Sequence, residues 1–156
     1  TDIAGNSSGS GVLINLSGEV VGFIMQDPDG EEASSTLTAV SISELKGVIE
    51  KLSNNQQIPY LGARLNTVTS EMEAAFDLPK GVYVKSVEMD SPAMNAGLQS
   101  GDIIVSMQGT NITDVSDYTE KLMSFSPGDS VNIEVKRQGT DGYTRITCTA
   151  AVGVLE

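Results

Sequence analysis

The spacing of apolar and polar positions changes character near residue 58. Before it, residues 12–16 and 19–25 form two nearly continuous apolar runs joined at Ser17-Gly18, which predicts a hairpin. Runs without alternation suit strands covered on both faces. Residues 26–35 (QDPDGEEASS) combine Pro, Gly and the acids Asp27, Asp29, Glu31 and Glu32, the composition of an exposed loop, and 36–40 reads as a short strand. Ile42, Leu45, Val48, Ile49 and Leu52 then recur at helical spacing, with Lys46, Glu50 and Lys51 opposite. A helix over 41–54 follows, capped by Ser41 or Ser43 and stopped by Asn54-Asn55-Gln56-Gln57 and Pro59. That stop marks a candidate domain boundary.

Beyond it the pattern predicts shorter elements. Residues 60–68 read as one strand with Gly62 inside it, 70–76 as a helix, and 81–88 as a strand. Ser91 to cap, Pro92 at the first helical position and Gly97 just past the end predict a short helix over 91–97. A strand over 102–107 turns at Gln108-Gly109. Val115, Tyr118, Leu122 and Phe125 stripe a second amphipathic helix, ended by Pro127-Gly128. Residues 131–137 and 143–150 close the chain as a hairpin around Gly139-Thr140-Asp141-Gly142.

Composition narrows the chemistry. The 156 residues carry nine Lys and Arg against 21 Asp and Glu, a formal charge of −12, and no His. Ser-His-Asp and Cys-His machinery therefore cannot be assembled from this chain alone, and no metal site is expected, Cys148 being the only thiol. An acidic surface repels nucleic acid. No cofactor is implied. The acids at 27–32 lack the ordered spacing of a calcium loop and read as a solvated turn. Aromatic residues make up 4% and Trp is absent, so the core should be aliphatic and strand-rich, with Cys148 a strand residue inside it. There is no apolar run long enough to span a bilayer and no signal peptide. Because the chain starts at Thr1 without Met, it reads as a fragment whose targeting segment is missing.

The stretch Ser91-Pro92-Ala93-Met94-Asn95-Ala96-Gly97-Leu98-Gln99-Ser100-Gly101-Asp102-Ile103-Ile104, with Gly109 five residues on, resembles the signature of PDZ domains of the type attached to bacterial HtrA/Deg serine proteases. The resemblance covers about 58–152. It implies an α+β, mainly β fold: a partly open β-barrel or sandwich capped by two helices. It also implies that the tetrad Tyr60-Leu61-Gly62-Ala63 is similar to the loop with which such domains offer backbone N–H groups to a peptide's C-terminal carboxylate. The competing reading of Gly62 is turn geometry alone. Arg64 and Leu65 after the loop, and Thr119, Leu122 and Met123 on the facing helix, are the groove candidates. Leu122 fits the core stripe equally well, and Arg64 fits a solvated strand position equally well.

The first half resembles the end of the protease domain of the same family. Thr1-Asp2, a Gly/Asn/Ser loop and Asn15-Leu16-Ser17-Gly18-Glu19-Val20-Val21-Gly22 are similar to the segment that carries the nucleophilic serine. The spacing is irregular. Gly5-Asn6-Ser7 lies two positions too early, Gly9 occupies the expected serine position, and Ser10-Gly11 lies one too late. Either Ser10 serves as nucleophile in a shifted register, or the loop is degenerate because its N–H groups are re-aimed. Together these resemblances imply 1–40 as C-terminal strands of an incomplete trypsin-like protease domain, 41–57 as a linker helix and 58–156 as a PDZ domain. The implied function is binding of free C-termini of peptides or unfolded proteins by strand addition. The alternatives are a regulatory domain of an active extracytoplasmic serine endopeptidase, or a scaffold that self-associates through its N-terminal strands. The implied setting is the bacterial cell envelope or beyond it.

Overall fold

A computed structural model describes residues 11–24 and 39–155. Ser10, the remainder of the candidate nucleophile loop and the acidic run 27–32 lie outside the described residues. The chain divides into two compact units, Thr1–Glu50 and Lys51–Glu156.

In the first unit β1 (Gly11–Ile14), β2 (Val20–Ile24) and β3 (Ala39–Ser41) form an antiparallel sheet in that order. The predicted hairpin is present, and Asn15 builds its turn by accepting from the Ser17 and Glu19 N–H groups at 2.9 Å each. Among the described residues, cover on both faces is not found. Val12 is 49% and Ile14 61% exposed, because three short strands are too narrow to bury both of their faces. Helix α1 (Ile42–Ser53) begins directly after Ser41, with Ile42, Leu45 and Val48 half-buried and Ile49 and Leu52 exposed.

The second unit is built on an open antiparallel sheet whose strands run β10, β9, β7, β6, β5. These are β5 (Ala63–Thr67), β6 (Val82–Val87), β7 (Ile103–Met107), β9 (Ser130–Gly139) and β10 (Gly142–Ala151), with β8 (Thr110–Asn111) pairing on β7. A separate small sheet pairs β4 (Pro59–Tyr60) with β11 (Gly153–Val154). Helices α2 (Ser70–Phe76), α3 (Pro92–Asn95) and α4 (Val115–Met123) connect the strands. The sheets stay open rather than closing into a barrel. The core is aliphatic, as the composition predicts: Val82, Val84, Ile104, Met107, Ile133 and Val135 from the sheet meet Leu98, Ile112 and Leu122 from the connections. Cys148 lies in β10 as a buried strand residue.

The strand predicted over 60–68 is two strands in two sheets. Gly62 has φ +79°, a left-handed conformation that turns the chain. Tyr60 therefore pairs with Gly153, while Ala63 pairs with Val87. That break shapes the candidate site.

Candidate functional site

Strand β5 is an edge of the sheet, paired among the described residues only with β6. Along it Ala63, Leu65 and Thr67 are half-buried and Arg64 and Asn66 exposed, the alternation of a strand lying on a core. Helix α4 packs beside β5 and β4. Its start is tied to the far end of β5, where the Val115 N–H donates to Thr67 Oγ1 at 3.1 Å. An open strand edge and a helix thus lie side by side with the Leu61-Gly62 turn at one end, and the space between them is the candidate groove.

The turn is held from behind. The Leu61 carbonyl accepts from the Ala93 N–H at 2.8 Å, and the Gly62 carbonyl accepts from the Glu88 N–H at 2.8 Å. The buried Ser91 hydroxyl also donates to the Gly62 carbonyl at 3.3 Å, while accepting from the Met94 N–H at 3.2 Å as the cap of α3. A trans peptide is planar, with C=O and the next N–H pointing opposite ways. Both carbonyls are engaged inward, so the Gly62 and Ala63 N–H groups face away from α3 and β6. Among the described residues the Gly62 N–H has no hydrogen-bond partner. Two such groups at a turn form a concavity suited to an anion. Gly62 is required there on steric grounds as well, since a Cβ at that position would stand 2.3 Å from Ser91 Cβ. The Tyr60 hydroxyl donates to the Glu88 carboxylate beside the turn. That bond, desolvation and the Glu88 charge hold the phenol above its ordinary value.

Leu61 is buried in the core beneath the turn. Leu65 is half-buried against the core. On α4, Leu122 is buried in the core cluster, which gives it the core role; Thr119 and Met123 form the adjacent half-buried stripe. The Thr119 hydroxyl is turned back to the Val115 carbonyl at 2.9 Å. Arg64 is exposed on β5. The loop and groove candidates are therefore brought together around one strand edge, and Ser10 is not among the residues described. A separate polar cleft of about 270 Å³, lined by Thr110, Asn111, Asp117, Glu120, Lys121 and Ser124, shares no residue with this groove. Among the described residues no group of His, Cys, Asp and Glu is placed to hold a metal ion.

Sequence reasoning missed a buried ion pair just beyond α3. Asp102, 1% exposed, accepts from Arg137 Nε at 2.6 Å and Nη2 at 2.7 Å, and from the Gln99 N–H at 2.9 Å. The same Nη2 donates to the Gly97 carbonyl at 2.8 Å. The signal available in the sequence was an Asp at an apolar strand start, which must be partnered if buried.

The comparisons agree with this fold. Residues 59–147 match the PDZ domain family, and the chain belongs to that family. Over most of its length it is also homologous to serine proteases of the HtrA/DegP type. The Serine protease Do-like HtrA of Lactobacillus helveticus is 31% identical over 90% of this chain and 38% of its own length. A Probable periplasmic serine endoprotease DegP-like of Pseudomonas fulva is 33% identical over 99% of this chain and 33% of its own. The chain thus spans little more than a third of these relatives. Among solved structures, the HtrA3 PDZ domain bound to a phage-derived ligand (FGRWV) superposes with a TM-score of 0.53 at 30% identity, covering 62% of this chain and 86% of that one. The HtrA-type protease AlgW with decapeptide gives a TM-score of 0.58 at 22% identity, covering 93% of this chain and 45% of that one, which shows likeness of fold.

Proposed function

We propose that the β5–α4 groove binds the free C-terminus of a peptide or unfolded protein, which adds as a strand to the β5 edge. The Tyr60-Leu61-Gly62-Ala63 turn receives the carboxylate through its outward N–H groups. Arg64, Leu65, Thr119 and Met123 line the groove, with Leu122 beneath them. One observation carries this reading: the Leu61 and Gly62 carbonyls are both engaged away from the groove, and the outward Gly62 N–H has no partner among the described residues. The FGRWV ligand of the related PDZ domain ends in an apolar residue, in keeping with the aliphatic floor here. At a net charge of −12 the protein repels an approaching carboxylate at long range, so local N–H dipoles must dominate. Amide resonances test this. Titration with FGRWV as free acid should shift Gly62, Ala63 and Leu65 first; a response centred elsewhere would refute the assignment.

In the same reading residues 1–40 are strands of a trypsin-like protease domain, 41–57 the linker helix and 58–156 the PDZ domain. The intact parent is then an extracytoplasmic serine endopeptidase that this domain regulates, with Ser10 as its nucleophile or a degenerate remnant of one. The serine-protease names of relatives matching nine-tenths of the chain or more support it. A serine-directed fluorophosphonate should label the parent, and failure to label would count against an active site. Exposed Val12, Ile14, Val20 and Val21 favour a second reading, self-association through the N-terminal strands. Light scattering that finds a strict monomer would exclude it.

A further inference from the structure

Arg137 stands on β9, with β7 and β6 between it and the β5 edge. Hydrogen bonds and the short covalent segment 97–99 nevertheless connect it to the Leu61-Gly62 turn. Its guanidinium grips both oxygens of Asp102 and the Gly97 carbonyl, and Asp102 fixes the Gln99 N–H. Leu98, next in the chain to both Gly97 and Gln99, donates its N–H to the Ala93 carbonyl at 3.0 Å. Ala93 in turn holds the Leu61 carbonyl, and Ser91 holds the Gly62 carbonyl. Ala93 and Leu98 are buried in the core, so this segment cannot shift at one end without displacing the other. The directions of the Gly62 and Ala63 N–H groups follow from those two carbonyls.

We propose that Arg137 is a positioning residue for carboxylate binding, acting through Asp102 and α3 on the Leu61-Gly62 turn. This rests on the groove reading above. A packed, hydrogen-bonded chain of this kind transmits modest coupling, and the coupling is reciprocal: a ligand that orders the turn acts back on Arg137.

The probe is FGRWV, as free acid and as C-terminal amide, titrated into the intact chain. In the unsubstituted protein, saturating free acid should shift the Arg137 Nε–H resonance, and the amide should leave it in place. In Arg137→Lys a single ammonium cannot span Asp102 and the Gly97 carbonyl in the same way. Free-acid binding should weaken by about tenfold, amide binding should hold, and the Gly62 amide resonance of the unliganded protein should move. If the unsubstituted protein binds neither form, or both alike, the groove reading itself fails. If it discriminates, but the Arg137 resonance is silent or the lysine variant keeps the full discrimination, the positioning role alone is overturned. Should the variant not fold, the Arg137 resonance in the unsubstituted protein decides.

Discussion

At the scale of single residues, Gly62 bears the tightest constraint. Its φ of +79° and the 2.3 Å approach of a hypothetical Cβ to Ser91 leave no room for a side chain. Gly62→Ala should destabilise the protein by about 1–3 kcal/mol in denaturant titration and weaken free-acid peptide binding more than the stability loss alone explains. Wild-type stability and affinity would show that the turn relaxes freely. Cys148 makes the opposite point. It is 5% exposed, and burial pushes its thiol above the ordinary value, with Arg137 opposing. A buried thiol of raised pKa is a poor nucleophile. Labelling by an aromatic disulfide should therefore be slow in the native protein and fast in denaturant, at a rate set by opening of the fold. Rapid native labelling would contradict its burial.

At the scale of elements, local signals predict local structure well and pairings poorly. Ser91, Pro92 and Gly97 bracket α3 as their chemistry dictates: a hydroxyl cap, a missing N–H where none is needed, and φ +85° just past the end. The apolar stripe of α4 likewise appears with Tyr118 and Leu122 buried. What escaped is non-local. Tyr60 leaves the predicted strand because Gly153, almost at the far end of the chain, pairs with it. The Asp102–Arg137 bond joins positions 35 apart, and no periodicity marks it. The proposed carboxylate-binding turn was legible as a tetrad only through its resemblance to a family. Helix α4 offers a pH test. Asp114 caps it by accepting from the Asp117 N–H at 2.8 Å, and Asp117 accepts from the Thr113 N–H at 2.9 Å and the Thr113 hydroxyl at 2.6 Å. The Thr113 hydroxyl bond first, then the Thr113 N–H bond, lowers the Asp117 pKa below its ordinary 3.8. A lowered carboxylate contributes stability that is fully present above the unfolded value and lost as pH falls through the folded one. Asp117→Asn should therefore melt below the wild type at neutral pH, with the gap closing only as pH drops below about 4. A gap independent of pH would assign the effect to shape rather than charge.

At the scale of the whole molecule, the two units have unequal completeness. The second closes a core and, among the described residues, presents the β5 edge of its sheet beside helix α4. The first leaves Val12, Ile14, Val20 and Val21 in solvent. With no His among its 156 residues a Ser-His-Asp triad would need its His from outside them, whereas peptide capture needs only backbone N–H groups and an open edge. The central claim is that those N–H groups read a terminal carboxylate. Isothermal calorimetry with one peptide in two forms tests it most directly. The free acid should bind about 1.5–3 kcal/mol more tightly than its C-terminal amide, the worth of a hydrogen bond to a charged group. Equal affinities would contradict it.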